Sequence, residues 1–354
     1  MCRRAASPSG RERAVTSDRF LLVKGRAGLG NRILGVVSGL QYARLSGRRL
    51  VVDWRDDLYS DDGSNVFPRY FRCAEAHSLD ELPDTASVTP PLWVGRLDES
   101  ASARERTSQL GPIEFRRMSS VDLTRLDHPE QVAVMWVTLS HVLFLTAHHR
   151  HAFEALGRRP AYELLRGSLR SELRPAGAIE RRVDGFARAS FERPMVGVHV
   201  RFSDRRGDLD VMRRRLEAVT RREPAARIFL ATDNAAVKAE FEQAYSGVLT
   251  APKWYPPPGT PAHLHGDNPS RFRTGAEALV DLYLLARCDY LVVDTASSFA
   301  RVACLLSHAP GSRITDVNRR AHFRRRVSDM LAGLSPRLAH EAGRAYERLI
   351  VRTR

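Results

Sequence analysis

The sequence predicts an α/β protein built from two Rossmann-like, doubly wound domains. Three observations carry that prediction. The chain has 354 residues, room for two domains of ordinary size that each bury a core. Its first ordered stretch runs strand, glycine loop, helix, strand, the order of a βαβ unit in a parallel sheet. Its second half alternates short apolar runs with segments of helical periodicity, as a sheet covered on both faces does.

The elements follow in order. FLLVKG at 20–25 is an apolar run and predicts a strand; GRAGLGN at 25–31 predicts a glycine-rich turn. Over 32–47, Ile33, Val36, Val37, Leu40, Ala43 and Leu45 recur at helical spacing, and Gly47 marks the helix end. RRLVVDW at 48–54 predicts a second strand ending in Asp53. Asp56, Asp57, Asp61 and Asp62 with Gly63 and Ser64 predict a loop. Short strands are expected within 88–95 and 133–140, and helices over 153–170 and 178–189. Pro175 and Gly177 punctuate the middle of the chain. In the second half, strands are expected at 194–202, 226–234 and 289–295. Helices are expected at 209–222, 235–245, 276–288 and 297–308, the last with serines at its cap. Residues 256–275 read as a long Pro/Gly-rich loop, and a final helix is expected near 338–352. The expected organisation is a disordered lead-in over 1–18, an N-terminal domain over 19–190, a C-terminal domain over 191–330 and a C-terminal helix within 331–354.

Composition excludes several classes. Hydrophobic residues at 43% and charged residues at 27% are globular values, so disorder, collagen and coiled coil fail as whole-chain descriptions. The net charge of +15 makes anionic partners plausible and names none. Only Lys24, Lys238 and Lys253 among the basic residues are lysine. Arginine's planar fork suits phosphate, although the codon bias of a GC-rich genome explains the excess equally well. No run of about 18 apolar residues predicts a membrane span, and the N-terminus lacks the apolar core of a secretory signal. Cys2, Cys73, Cys288 and Cys304 fit no zinc or redox spacing, which predicts a reducing, cytoplasmic setting. There is no GxxxxGK[ST] loop, and GRAGLGN lacks full GxGxxG spacing. His263 and His265 form an HxH pair near Asp267 without a third distant ligand, so no metal is expected. Common nucleic-acid modules are absent, so nucleic acid is not an expected partner.

In open parallel sheets, ligands bind beyond the carboxyl ends of the strands. The polar residues expected there are His199, Arg201, Ser203, Asp204 and Arg205, then Thr232, Asp233 and Asn234, then Asp294, Thr295, Ser297 and Ser298. A helix starting near Ser298 offers unpaired backbone N–H groups and a positive dipole end, and Arg201 can reach the same anion. Asp281 lies within an apolar helix, where a carboxylate needs a partner. The set suits a diphosphate-bearing ligand such as a nucleotide sugar.

HVRFSD at 199–204, FLATDN at 229–234 and VDLYLLARCDYLVVDTASSFARVA at 280–303 resemble the three donor-site motifs of the α-1,6-fucosyltransferases. GLGNRILGVVSGLQYARLSGRRLVVDWR at 28–55 resembles the N-terminal segment of the rhizobial nodulation fucosyltransferases. The resemblance implies a GT-B fold with the active site between two domains, GDP-β-L-fucose as donor, inversion at the anomeric carbon and no cofactor or metal. It implies that His199 lies near the nucleotide and that Arg201 holds the diphosphate. It implies that Asp281 accepts hydrogen bonds from guanine N1–H and its amino group, and that Ser297 or Ser298 donates to phosphate. Asp233 and Asn234 match the second motif. The family's paired arginines are broken here, because Phe202 follows Arg201. Its catalytic-base glutamate falls near Leu209, which leaves Asp204, Asp208 and Asp210 as candidate bases. A carbohydrate acceptor is expected against the N-terminal domain and the 252–275 segment, with Asn31, Arg32, Trp54 and Trp254 on its side; Trp93 is a further stacking candidate and Trp136 reads as core. The competing readings are the same scaffold using another GDP-sugar, a homologue that binds GDP without turnover, and a non-catalytic polyanion binder whose affinity falls steeply with salt.

Overall fold

The computed structural model describes residues 18–137, 140–155, 157, 160–201, 209–257 and 266–317. In the first half, β1 (Phe20–Lys24), β2 (Arg49–Asp53), β3 (Phe71–Arg72), β4 (Ala76–His77), β5 (Val88–Thr89), β6 (Val132–Met135) and β7 (Arg174–Pro175) follow along the chain. Five of these form a parallel sheet in the order β4-β2-β1-β6-β5, while β3 pairs antiparallel with β7. In the second half, β8 (Met195–Val200), β9 (Arg227–Thr232), β10 (Tyr290–Val293) and β11 (Ile314–Asp316) form a second parallel sheet in the order β11-β10-β8-β9. Every residue of β1, β6 and β8 is buried, which is why these strands read as continuous apolar runs rather than alternating ones.

The major helices are α1 (Leu29–Ser46), α2 (Gly177–Ser190), α3 (Leu209–Thr220), α4 (Ala235–Ala244), α5 (Arg271–Ala286) and α6 (Ser298–Leu306). α1 is buried on nearly all sides. It lies between its own sheet and α6 of the other half. One apolar cluster runs from Leu21 and Ile33 through Leu279 and Ala300 to Phe229, so the two halves share a core. A polar joint adds to it. Asp61 accepts from Ser270 Oγ at 2.7 Å and from the Arg271 amide at 2.6 Å, capping α5 from the opposite half. Tyr70 stacks on Phe272 at 5.0 Å between centroids and donates its hydroxyl to the Phe272 carbonyl at 2.8 Å.

Several expectations change. α5 begins at Arg271, inside the stretch read as loop, because its first turns bury Thr274 and Gly275 rather than showing an apolar stripe. The helix expected over 153–170 is two, Arg150–Ala155 and Ala161–Gly167, followed by a wide turn over Ser168–Glu172. Gly157 at φ +81° and Pro160 account for the break. Trp54 is 1% exposed, ringed by Phe67, Tyr70 and Phe71, and cannot stack on an acceptor. Trp93 and Trp136 are also core. The lead-in over 1–17 and the helix expected near 338–352 lie outside the described residues. Among the described residues, no helix is long and apolar enough to cross a membrane, and Cys73 and Cys288 are free thiols.

Candidate active site

A cavity of about 140 Å³ opens where the carboxyl ends of β8 and β9 face the first half. His199 and Arg201 reach it from the end of β8, Thr232 and Asp233 from β9, and Ser297 and Ser298 from the start of α6. Asp281 reaches it from α5, and Tyr59 with the Gly28–Gly30 turn closes the wall from the first half. The cavity thus sits beyond the strand ends, where side chains leave the sheet unpaired.

Part of the lining suits an anion. The opening amides of α6 have no intrahelical acceptor and carry the positive end of its dipole. Ser297 occupies the cap position, yet its side chain makes no cap bond, and its buried Oγ has no hydrogen-bond partner. The expected serine cap therefore does not form, which leaves that hydroxyl for another acceptor. Arg201 stands on the same wall, and its charge reaches the Tyr59 phenol, whose pKa burial nevertheless raises to about 12. Asp294 accepts from the Ala296 amide at 2.9 Å, and Thr295 donates to Asp316, so these two brace the turn into α6. The Gly-rich turn seats α1 against α6. A Cβ on Gly30 would lie 2.4 Å from the Phe299 amide nitrogen and the Ser298 carbonyl carbon. Gly30→Ala should therefore destabilise the protein by about 1–3 kcal/mol as α1 and α6 separate. That exceeds the helix-propensity gain of about 1 kcal/mol, and a thermal melt of the variant checks it.

His199 lines the same cavity. Its ring stacks on Phe299 at 5.0 Å and 24°, and its buried Nδ1 has no hydrogen-bond partner. Burial pushes its pKa down to about 4 against the pull of Asp233, so the ring is neutral at pH 7. The unfolded histidine takes a proton near 6.5 that the folded ring refuses. Stability should therefore fall as the pH drops from about 6.5 toward 4, by on the order of 3 kcal/mol. His199→Phe, which stacks without titrating, should flatten that slope in a denaturation series.

A buried charge cluster also lines the cavity. Asp281 is 4% exposed. Lys253 donates to its Oδ2, while its buried Oδ1 has no partner. Burial raises the Asp281 pKa, and Lys253 opposes that rise. Glu277, one turn earlier on α5, accepts from the Trp254 amide at 3.0 Å and from Arg273 at 2.9 Å. Glu277 thereby ties the 253–254 segment to the helix that carries Asp281. Lys253 and Glu277 were not among the residues singled out from sequence.

The structure brings together His199, Arg201, Asp233, Asp281, Ser297, Ser298 and Trp254, all of which line the cavity. Others stand elsewhere. Asn234 caps α4, accepting from the Val237 amide at 3.0 Å, and does not line the cavity. Arg32 is buried, donates to Asp56 at 2.5 Å and covers the Tyr59 ring at 4.7 Å, so it holds the turn rather than an acceptor. Asn31 is on the first turn of α1, next to Gly30, but is not itself part of the lining. Asp210 is exposed on the first turn of α3 and also misses the lining. Asp204, Asp208, His263 and His265 lie outside the described residues. Among the described residues, no group of three His, Cys, Asp or Glu side chains is arranged to hold a metal ion.

Two parallel Rossmann-like sheets meeting at a cavity lined by a helix start and a buried acid have the arrangement of the GT-B fold. The profile of the Nodulation protein Z (NodZ) family matches residues 17–78 and 163–322, and the chain belongs to that family. It is 25% identical over 343 residues to Nodulation protein Z of Bradyrhizobium diazoefficiens, covering 85% of this chain and 84% of the relative. It is 25% identical over 327 residues to Nodulation protein Z of Azorhizobium caulinodans, covering 83% and 90%. The crystal structure of NodZ α-1,6-fucosyltransferase soaked with GDP-fucose shares the fold, with TM-score 0.56, 22% identity, and 82% of this chain and 93% of that chain covered. FUT1 of Arabidopsis thaliana in complex with GDP shares it at TM-score 0.52 and 16% identity, covering 84% of this chain and 71% of that chain.

Proposed function

We propose that this protein transfers L-fucose from GDP-β-L-fucose to a carbohydrate hydroxyl, with inversion at the anomeric carbon. The observation that carries the reading is the cavity itself. Arg201 and the start of α6 line it together with a buried carboxylate that keeps an unpaired oxygen, in a member of the NodZ family. The relative's description as α-1,6-fucosyltransferase makes a sugar 6-hydroxyl the first acceptor position to try, and we take that of N-acetylglucosamine first.

The residues divide the work. Asp281 faces the guanine, His199 packs beside the nucleotide, and Arg201 with Ser297, Ser298 and the α6 amides holds the diphosphate. As the fucose–phosphate bond breaks, negative charge grows on GDP, and these fixed donors stabilise it without a metal ion. The acceptor hydroxyl must lose a proton. Asp204 and Asp208 follow β8 and are candidates for that base, and Asp233 joins them because it lines the cavity; Asp210 is set aside by its place on α3. The N-terminal domain over 19–190 carries the acceptor, with Trp254 at the cavity wall as its stacking surface. The C-terminal domain over 191–330 carries the donor, with α2 packed against α5.

Calorimetric titration with GDP in EDTA, with UDP as the control, tests the reading. Selective GDP binding supports it and leads to an acceptor screen with GDP-fucose. Equal, salt-sensitive binding of both nucleotides would sink it in favour of a polyanion binder.

A further inference from the structure

One oxygen of the carboxylate assigned to guanine is already paired with a cation, and the other is not. Lys253 donates to Asp281 Oδ2, and only the buried Oδ1 lacks a partner. Both side chains line the cavity and are nearly inaccessible, Lys253 at 8% and Asp281 at 6%. The pairing is braced. Glu277 holds the Trp254 amide at 3.0 Å, and the Lys253 ammonium lies 5.3 Å from the centre of the Tyr255 ring. An ammonium has three N–H donors, and Asp281 takes one. The cavity therefore presents a hydrogen-bond donor next to an acceptor.

We propose that Lys253 is a specificity-determining residue for the base, donating to guanine O6 while Asp281 Oδ1 accepts from N1–H. The proposal rests on the GDP-sugar reading above and changes how the base is read. The exocyclic amino group of guanine is not the feature recognised; the O6 and N1–H edge is. Adenine presents the reverse pattern, an amino donor beside a bare ring nitrogen, and meets an ammonium facing a donor and a carboxylate facing an acceptor. Hypoxanthine carries the same edge as guanine without the amino group. Uracil carries a comparable edge on a shorter ring, so reach from the diphosphate site separates it.

The test is calorimetric titration of the wild-type protein with GDP, IDP, ADP and UDP, repeated with Lys253→Met and Lys253→Gln. In the wild type, GDP and IDP should bind within about threefold of one another, with ADP weaker by roughly tenfold to a hundredfold. Lys253→Met should lose most of the preference for GDP over ADP. Lys253→Gln, which keeps an N–H donor, should recover part of it; a purely structural lysine would not give that split. IDP binding tenfold or more below GDP would overturn the proposal, because Asp281 would then be reading the amino group. Unchanged GDP-over-ADP preference in a folded Lys253→Met protein would overturn it too. Either result leaves the GDP-sugar reading standing. Wild-type protein that binds UDP or ADP as tightly as GDP overturns that reading and this proposal with it. If the methionine variant does not fold, the wild-type comparison of IDP with GDP can still overturn the proposal, and the glutamine variant carries the test of the lysine.

Discussion

Arg201→Ala should lower kcat/KM for fucose transfer at least about a hundredfold while leaving the circular dichroism spectrum unchanged. The expectation follows from where charge appears. GDP departs with new negative charge on its outer phosphate, in a cavity walled by the α6 terminus and closed by Gly28–Gly30. Donors fixed before the reaction are worth most there, because no solvent need reorganise. Arg201 leaves the end of β8, a fully buried strand paired on both sides with β9 and β10, so its backbone is held by the sheet. Arg201→Lys keeps the charge and loses the planar fork, so it should fall between the wild type and the alanine variant. Initial rates of GDP release with saturating acceptor would check both. An alanine variant within threefold of the wild type would remove Arg201 from the mechanism.

The parts of this architecture visible in the sequence are those governed by burial. β1, β6 and β8 are covered on both faces and so appear as unbroken apolar runs. Because ligands collect at the ends of such strands, His199, Arg201, Asp233 and Ser297 are legible in the sequence as cavity-lining candidates. The failures share a cause as well: each depends on a partner distant along the chain. Trp54 follows a strand and looks available, but Phe67, Tyr70 and Phe71 return to enclose it. The first turns of α5 look like loop because what covers them is Asp61 and Tyr70 of the other half. Lys253 sits 28 residues from Asp281, a spacing no local pattern marks. One signal did exist. In a chain where arginine supplies nearly all the positive charge, Lys24 and Lys253 are both buried against an aspartate, Asp53 and Asp281.

Asp281→Asn should weaken GDP binding by roughly tenfold to a hundredfold, with a smaller effect on any acceptor affinity. The substitution keeps the shape of the side chain and removes its charge, so cavity collapse is not the cause. It also leaves the Lys253 ammonium buried without its counter-charge, and removing one member of a buried pair costs about 3–5 kcal/mol of stability. The titrations therefore belong well below the melting temperature. A second observable comes from pH. Burial holds the Asp281 pKa above the ordinary 3.8, with Lys253 opposing and Glu277 adding to the shift. A carboxyl raised on folding binds more protons in the folded state, so its ionisation weakens the fold as pH rises through that raised value. Ligand binding runs the other way: the base needs the ionised oxygen, so GDP affinity should fall on acidification, starting above pH 3.8. Asp281→Asn should abolish that arm of the profile along with the affinity. A variant that binds GDP as the wild type does, with the same pH profile, would show that the base is read elsewhere in the cavity.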